Sequence, residues 1–227
     1  MRLAMLTSTL SRKNLMALTG LFLCFFLVIH LLGNLQLLLP AERAEGSFNY
    51  YSKLLSGNIF IMIISYVLYF SLIAHAVDAL VITVRNKRTA AKYAYDDRKQ
   101  ASKWYSRNMG ILGTILLVFL VLHFMDFWYV YKFGTLPNDS EGNKNLYIVV
   151  TYAFKSWWYV LLYVCAMFAL GFHLLHGFKS AVRTLGLYHP RYASYVQTFG
   201  IVYSYAITIG FSIIPVYVYL IQYGLWN

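Results

Sequence analysis

Acidic side chains are scarce in this chain, and long stretches of it carry no charge at all. Eight Asp and Glu stand against nineteen Lys and Arg, and only 12% of the 227 residues are charged while 60% are hydrophobic. A soluble domain of this size could hardly cover its surface with so few charges. Cysteine is rare too: Cys24 and Cys165 both lie inside apolar stretches. They read as small hydrophobes, and neither a disulfide framework nor Cys-x-x-Cys metal spacing is present. No Glu-x-x-His occurs, which removes the usual signature of a di-iron carboxylate bundle. Internal repeats and low-complexity segments are not evident.

What is present is five apolar blocks: Leu15–Leu39, Ile59–Val84, Met109–Val130, Trp157–Phe178 and Ile201–Leu220. Each can cross a hydrocarbon core of about 30 Å at roughly 1.5 Å per residue. Their length and lack of alternation exclude strands. The expected fold is an all-α membrane protein forming one transmembrane domain over residues 1–227. Its five helices are placed near 14–39, 58–85, 107–131, 156–183 and 196–222. The first block is too long for a signal h-region and no A-x-A-like site follows it, so it reads as a retained helix. Segments such as "AERAEGSFNYYSKLLSG" and "TLPNDSEGNKNL" read as loops on one side, and Gly200, Gly210 and Pro215 as packing points and a tolerated kink.

A net charge of +11 invites a nucleic-acid reading, which fails once the charges are sorted by loop. Fourteen basic residues fall on the side of the N-terminus and five on the other. That asymmetry fits the positive-inside rule, with the N-terminus cytoplasmic and the C-terminus outside. Basic groups here orient helices and meet anionic lipid. The long loop "RNKRTAAKYAYDDRKQASKWYSRNM" also offers a cytoplasmic docking surface.

Four of the six histidines, His30, His75, His123 and His173, fall well inside four different apolar blocks. Ionisable groups at depth are expensive and mark function. One such histidine is explained by a backbone hydrogen bond; one in each of four helices is not. His30 lies 17 residues past Lys13 and His123 lies 16 past Arg107, both roughly 25 Å from the basic edge. His75 is 10 residues before Arg85 and His173 is 10 before Arg183, both about 15 Å from it. The expectation is two pairs, first helix with third and second with fourth, at levels about 10 Å apart. Paired imidazoles at two levels suit two bis-histidine haems b between apolar walls. Zinc needs three or four ligands converging at one level. Gly177, one turn beyond His173, would let a flat ring approach, with Gly33 and Gly171 near other ligands; helix packing explains any one of these equally well.

The stretch "GFHLLHGFKSAVRTLGL" (171–187) combines His173 with Gly177 four residues on and a helix exit at Leu185–Gly186. With the three other histidines it resembles the cytochrome b membrane anchors of succinate dehydrogenase and fumarate reductase, in their single-chain, five-helix, di-haem branch. The resemblance covers nearly the whole chain in topology, through short motifs. It implies a bacterial inner-membrane anchor for a flavoprotein and an iron–sulfur subunit on the cytoplasmic side. Electrons would be exchanged with a quinone, usually menaquinone in this branch. It implies His173 and His75 as axial ligands of the inner haem, and His30 and His123 of the outer. Fumarate-reducing members place a proton-transferring glutamate two residues before this histidine. Here Gly171 stands there, which favours succinate oxidation.

The remaining polar residues receive secondary expectations. Arg12, Lys13, Arg85, Lys87, Arg107, Lys179 and Arg183 are candidate haem-propionate partners through charge-assisted bonds. His176 is a propionate or proton-path candidate, or simply interfacial; His189 reads as solvated. Asp78 and Asp126 each follow a candidate ligand by three residues, displaced toward the nearer membrane surface. Quinone or proton-transfer contacts are expected at Asp126, Glu42, Glu45, Asn49, Tyr50 and Lys53. Two other readings stand beside this one: the haem b subunit of another quinone-linked enzyme, such as a hydrogenase or formate dehydrogenase, and a cofactor-free transporter or assembly protein with a histidine proton relay.

Overall fold

The computed structural model describes residues 9–90 and 103–222, with side chains described for 11–86 and 103–221. Helix α1 (Thr9–Asn34) tightens into a 3-10 turn at Leu35–Leu38. Beyond Pro40 the chain forms α2 (Ala41–Gly57), then the long α3 (Ile59–Ala90). A short α4 (Trp104–Arg107) leads into α5 (Met109–His123), which continues as a π-helical segment at Phe124–Tyr129 and a last turn, α6 (Val130–Phe133). Then come α7 (Leu146–Ala153), α8 (Trp157–Thr184) and α9 (Ala193–Gln222). Five helices are long and apolar enough to cross a membrane. Among the described residues there is no strand, only an isolated bridge between Asn138 and Lys144. The chain is an all-α, multi-pass membrane protein.

The packing partners define a closed ring. Helix α1 packs on α3, α3 on α5, α5 on α8, and α8 back on α1, while α9 lies outside against α8 and α1. Helices α1 and α5 are therefore diagonal across the bundle, as are α3 and α8. Within lipid no hydrophobic force drives apolar helices together, so close approach relies on small residues. Gly200 and Gly210 act in this way: a Cβ on Gly200 would meet the Phe178 ring at 2.6 Å, and one on Gly210 would meet Leu31 at 2.8 Å. Gly171 does the same, since its Cβ would run into Thr208 of α9. Gly33 is likewise filled, by the Tyr51 ring. Neither opens toward a deep histidine, which corrects that expectation for both.

The segment 41–57 is a helix, α2, not the loop expected. Pro40 immediately precedes it and Glu42 sits in its first turn, both favourable where helix N–H groups lack partners. Ala44 and Phe48 turn inward, and Phe48 joins Phe127, Val150, Phe154 and Tyr159 in an apolar cluster. Here α2 and α7 close the end of the bundle opposite Arg12, Arg85 and Arg183, hereafter the loop end and the basic end.

A polar clasp ties this end together. Asn49, fully buried, donates from Nδ2 to Asp139 Oδ2 and Asn145 Oδ1, both at 3.1 Å, and its Oδ1 accepts from the Tyr147 backbone at 3.0 Å. Asn145 Nδ2 donates to Glu45, and Lys53 Nζ donates to Asn143 Oδ1 at 2.8 Å. Gly142, at φ +79°, supplies the left-handed turn that carries Asn143 back toward Asp139. Asn49→Ala takes the acceptor from the Tyr147 backbone N–H and one donor each from Asp139 and Asn145, and is expected to lower stability by about 1–3 kcal/mol in thermal unfolding in detergent.

Acid should loosen the same clasp. Partial burial works to raise the Asp139 pKa, but N–H groups of Asn143, Asn49 and Glu141 outweigh it and hold the carboxyl below its usual 3.8. A folded-state pKa below the unfolded one contributes stability above the unfolded value and loses it as pH falls through the folded one. Proteolysis of the loop around residues 138–144 is therefore expected to accelerate only below about pH 4, and Asp139→Asn should remove that acid step.

Candidate functional site

The four deep histidines meet in two pairs. His30 of α1 and His123 of α5 place their ring centroids 5.7 Å apart, and His75 of α3 and His173 of α8 place theirs 6.1 Å apart. Each pair spans a diagonal of the helix ring, so two imidazoles approach from opposite walls. Two imidazoles binding one metal from opposite sides, each through a bond of about 2 Å, hold their centroids roughly 6 Å apart. Ordinary aromatic packing covers that spacing as well.

Those surroundings differ between tiers. At the loop end Phe26 stacks on His30 at 5.2 Å, Phe119 stacks on His123 at 5.7 Å, and Phe211 and Phe127 close the sides. His123 Nδ1 lies 3.2 Å from the Tyr163 hydroxyl, which lies 3.4 Å from that of Tyr159, which donates to Asp126 Oδ2 at 2.5 Å. At the basic end His75 Nδ1 lies 3.3 Å from Thr19 Oγ1. The Thr19 hydroxyl already donates to the Leu15 and Met16 carbonyls, so toward His75 it accepts and Nδ1 carries the proton. The bonded nitrogen of both His75 and His123 is Nδ1, which leaves Nε2 for a metal. His173 Nδ1 is buried with no hydrogen-bond partner among the described residues, an uncommon state for an interior polar atom.

Space is left beside the rings. A Cβ on Gly177 would come no nearer than 4.0 Å to His173. Gly20 faces His75, whose Cε1 would lie 3.3 Å from an added Cβ. Gly20 and Gly113 each precede a loop-end histidine by 10 residues, and the segments match: "GLFLCFFLVIH" and "GTILLVFLVLH" share G-x5-F-L-V-[IL]-H. This short internal repeat corrects the expectation that none exists. It marks the two diagonal helices, each carrying a ligand candidate at one tier and a glycine ten residues before it.

The separation between tiers is larger than expected. His75 touches Thr19 and Gly20, which lie 11 and 10 residues from His30 along α1; Tyr163 touches His123 and lies 10 residues from His173 along α8. Both rulers give about 15 Å along the helices where counting from basic residues gave about 10 Å. Long cationic side chains reach the interface from variable depths, which makes them a coarse zero for depth.

The secondary candidates scatter. Arg12 donates to Asp78 at 2.9 Å, pinning α1 to α3 one turn beyond His75, and Asp78 is 4% exposed. Arg183 lies over the Tyr188 ring at 4.7 Å and Lys179 donates to Gln197 at 3.4 Å. Lys13, Arg85 and Arg107 are exposed at the same end; the side chain of Lys87 lies outside the described residues. His176 Nδ1 meets Ser106 Oγ at 2.8 Å, a contact to α4 and not to either histidine pair. His189 Nδ1 accepts from the Arg191 backbone. The six expected quinone contacts do not come together in one network. Asn49, Glu45 and Lys53 are engaged in the clasp, Glu42 and Tyr50 are exposed, and Asp126 bonds Tyr159. Tyr159, Tyr163, Thr19 and Gly20 were missed; the glycine repeat was the available signal, while the hydroxyls had none.

Among the described residues no three His, Cys, Asp or Glu side chains converge as a metal-ion site; the histidines meet in twos. The chain matches no family model, no curated protein and no solved structure.

Proposed function

We propose that this chain is a di-haem cytochrome b that anchors a succinate dehydrogenase in a bacterial inner membrane. It would pass electrons between the iron–sulfur subunit of that enzyme, docked with its flavoprotein at the basic cytoplasmic end, and menaquinone at the loop end. The observation that supports this best is the meeting of four histidines from diagonal helices in two tiers, His30 with His123 and His75 with His173.

Haem, when bound, supplies reversible one-electron exchange at its iron. The residues of the chain do the rest. His30, His75, His123 and His173 offer imidazole nitrogen across the bundle, and Thr19 and Tyr163 hold two of these rings by Nδ1. Gly20 beside His75 and Gly177 beside His173 present no side chain to these rings, and Phe26, Phe119 and Phe211 form apolar walls that exclude water. Arg85, Arg107 and Lys13 stand at the basic end, where propionates would find charge-assisted partners. A proton relay through the same histidines would need a polar path between the tiers. Apart from Cys24 and Cys165, the stretches from Gly20 to His30 and from Tyr163 to His173 are wholly apolar, and the α9 hydroxyls that reach them, Tyr203 and Thr208, give their protons to the Cys24 and Ser204 carbonyls.

A pyridine haemochrome assay on the purified chain tests this reading. Two haems b per polypeptide are expected; a folded, active preparation without Soret absorbance would overturn it.

A further inference from the structure

Resting on the di-haem reading, we infer that Asp126, Tyr159 and Tyr163 form a positioning relay that sets the tautomer of His123 and tunes the iron it would hold. The argument is one of proton counting. A carboxylate can only accept, and each tyrosine has one proton to give. Tyr159 donates its proton to Asp126 Oδ2 at 2.5 Å. At the next link, 3.4 Å long, Tyr159 can then only accept, so Tyr163 donates. Toward His123, 3.2 Å away, the Tyr163 oxygen is left as acceptor, so Nδ1 carries the proton and Nε2 presents its lone pair to the bundle interior. The order of donation in this relay thus runs from His123 through two hydroxyls to Asp126.

The fold builds this chain by antiparallel register. Helix α5 and its continuation run toward the loop end while α8 runs away from it, so His123 faces Tyr163 and, further out, Asp126 faces Tyr159. The π-helical segment begins directly after His123 and contains Asp126. Its wider turn changes the angular offset between those two side chains relative to an α-helix, a device common at functional sites. Tyr159 and Tyr163 are 8% and 7% exposed, so water does not compete for either hydroxyl. Among the described residues the basic-end pair has no such arrangement: Thr19, which holds His75, is neutral and returns its proton to its own helix.

The consequence is electronic. An Nδ1–H that donates into a chain ending on an anion lends the imidazole partial imidazolate character. That favours the more positive oxidation state of bound iron and holds its reduction potential down. Tyr163, Tyr159 and Asp126 act through His123 and are positioning residues.

The test is redox titration of the purified holoprotein with Tyr163→Phe, Asp126→Asn and Thr19→Val. The loop-end potential is identified as the one that survives His173→Ala. Tyr163→Phe keeps the ring and removes the acceptor: two haems are expected to remain, with the loop-end potential raised and the other unmoved. Asp126→Asn should move the same potential in the same direction by less, and Thr19→Val should move only the basic-end one. If Tyr163→Phe sheds the loop-end haem, Asp126→Asn decides, because it leaves both tyrosines in place. Unchanged loop-end potential and low-spin electron paramagnetic resonance signature in both relay variants, with two haems bound, would overturn the relay and leave the di-haem reading standing. A wild-type chain that binds no haem overturns that reading instead.

Discussion

Alanine at any one of the four deep histidines is expected to halve the haem content, and the losses should pair by diagonal. His30→Ala and His123→Ala should each strip the loop-end haem, while His75→Ala and His173→Ala should each strip the basic-end haem. The pairing follows from the ring contacts, His30 with His123 and His75 with His173, across helices that do not neighbour one another in the ring. On the di-haem reading, removing one of the two imidazoles that would hold an iron leaves it one strong bond short and opens a cavity in a packed interior, two penalties that reinforce each other. Electron transfer to quinone should fall by at least two orders of magnitude in every case, as expected when a link in the chain is removed rather than weakened. Optical spectra and haem counts on each variant check it. Losses that pair α1 with α3 would show that neighbouring helices, not diagonal ones, share a haem.

Leucine at Gly20 should produce the same loss at the basic end while leaving all four histidines intact. Already a Cβ there would sit 3.3 Å from His75 Cε1, and three further carbons would project into the space between His75 and His173. Overpacking a filled core typically costs about 1–3 kcal/mol; competing with a macrocycle for the same volume displaces the ligand. The expected result is one haem per chain, with the loop-end spectrum unaltered. Leucine at Gly171 makes the control: its side chain would strike Thr208 of α9, loosening helix packing without selecting one tier. If Gly20→Leu retains both haems, the glycine serves helix packing and the basic-end pair does not enclose a flat ring at that face.

Much of the bundle was legible along the chain because lipid imposes a one-dimensional rule. Every backbone group in hydrocarbon must be bonded within its own helix, so apolar length alone marks the spans, and the five observed helices overlap the five blocks. The ligand candidates were legible for a related reason: imidazole at depth is costly enough to stand out against Leu, Val and Phe on every side. Legibility failed where polar contacts join distant segments. Asn49 reads as an exposed loop residue until Asp139, Asn145 and Tyr147, some 90 positions away, close over it. The segment around Phe48 has too few apolar residues to signal a helix against the long blocks beside it. Gly171 and Gly33 look like Gly177 in sequence, yet Thr208 and Tyr51 fill the space beside them.

By itself the sequence determined that the chain is a five-helix membrane protein with a strongly basic side, and that four helices each carry one deep histidine. Those properties follow from hydrophobicity, charge and helical rise, which act residue by residue. Only the tertiary structure decided that the pairs lie on diagonals about 15 Å apart along the helices. It alone showed that α2 and α7 cap one end, and that Asp126 reaches His123 through two tyrosines of another helix. Those depend on the rotation of each helix about its own axis and on antiparallel register, which are set by how small residues let neighbouring helices approach, not by any local pattern.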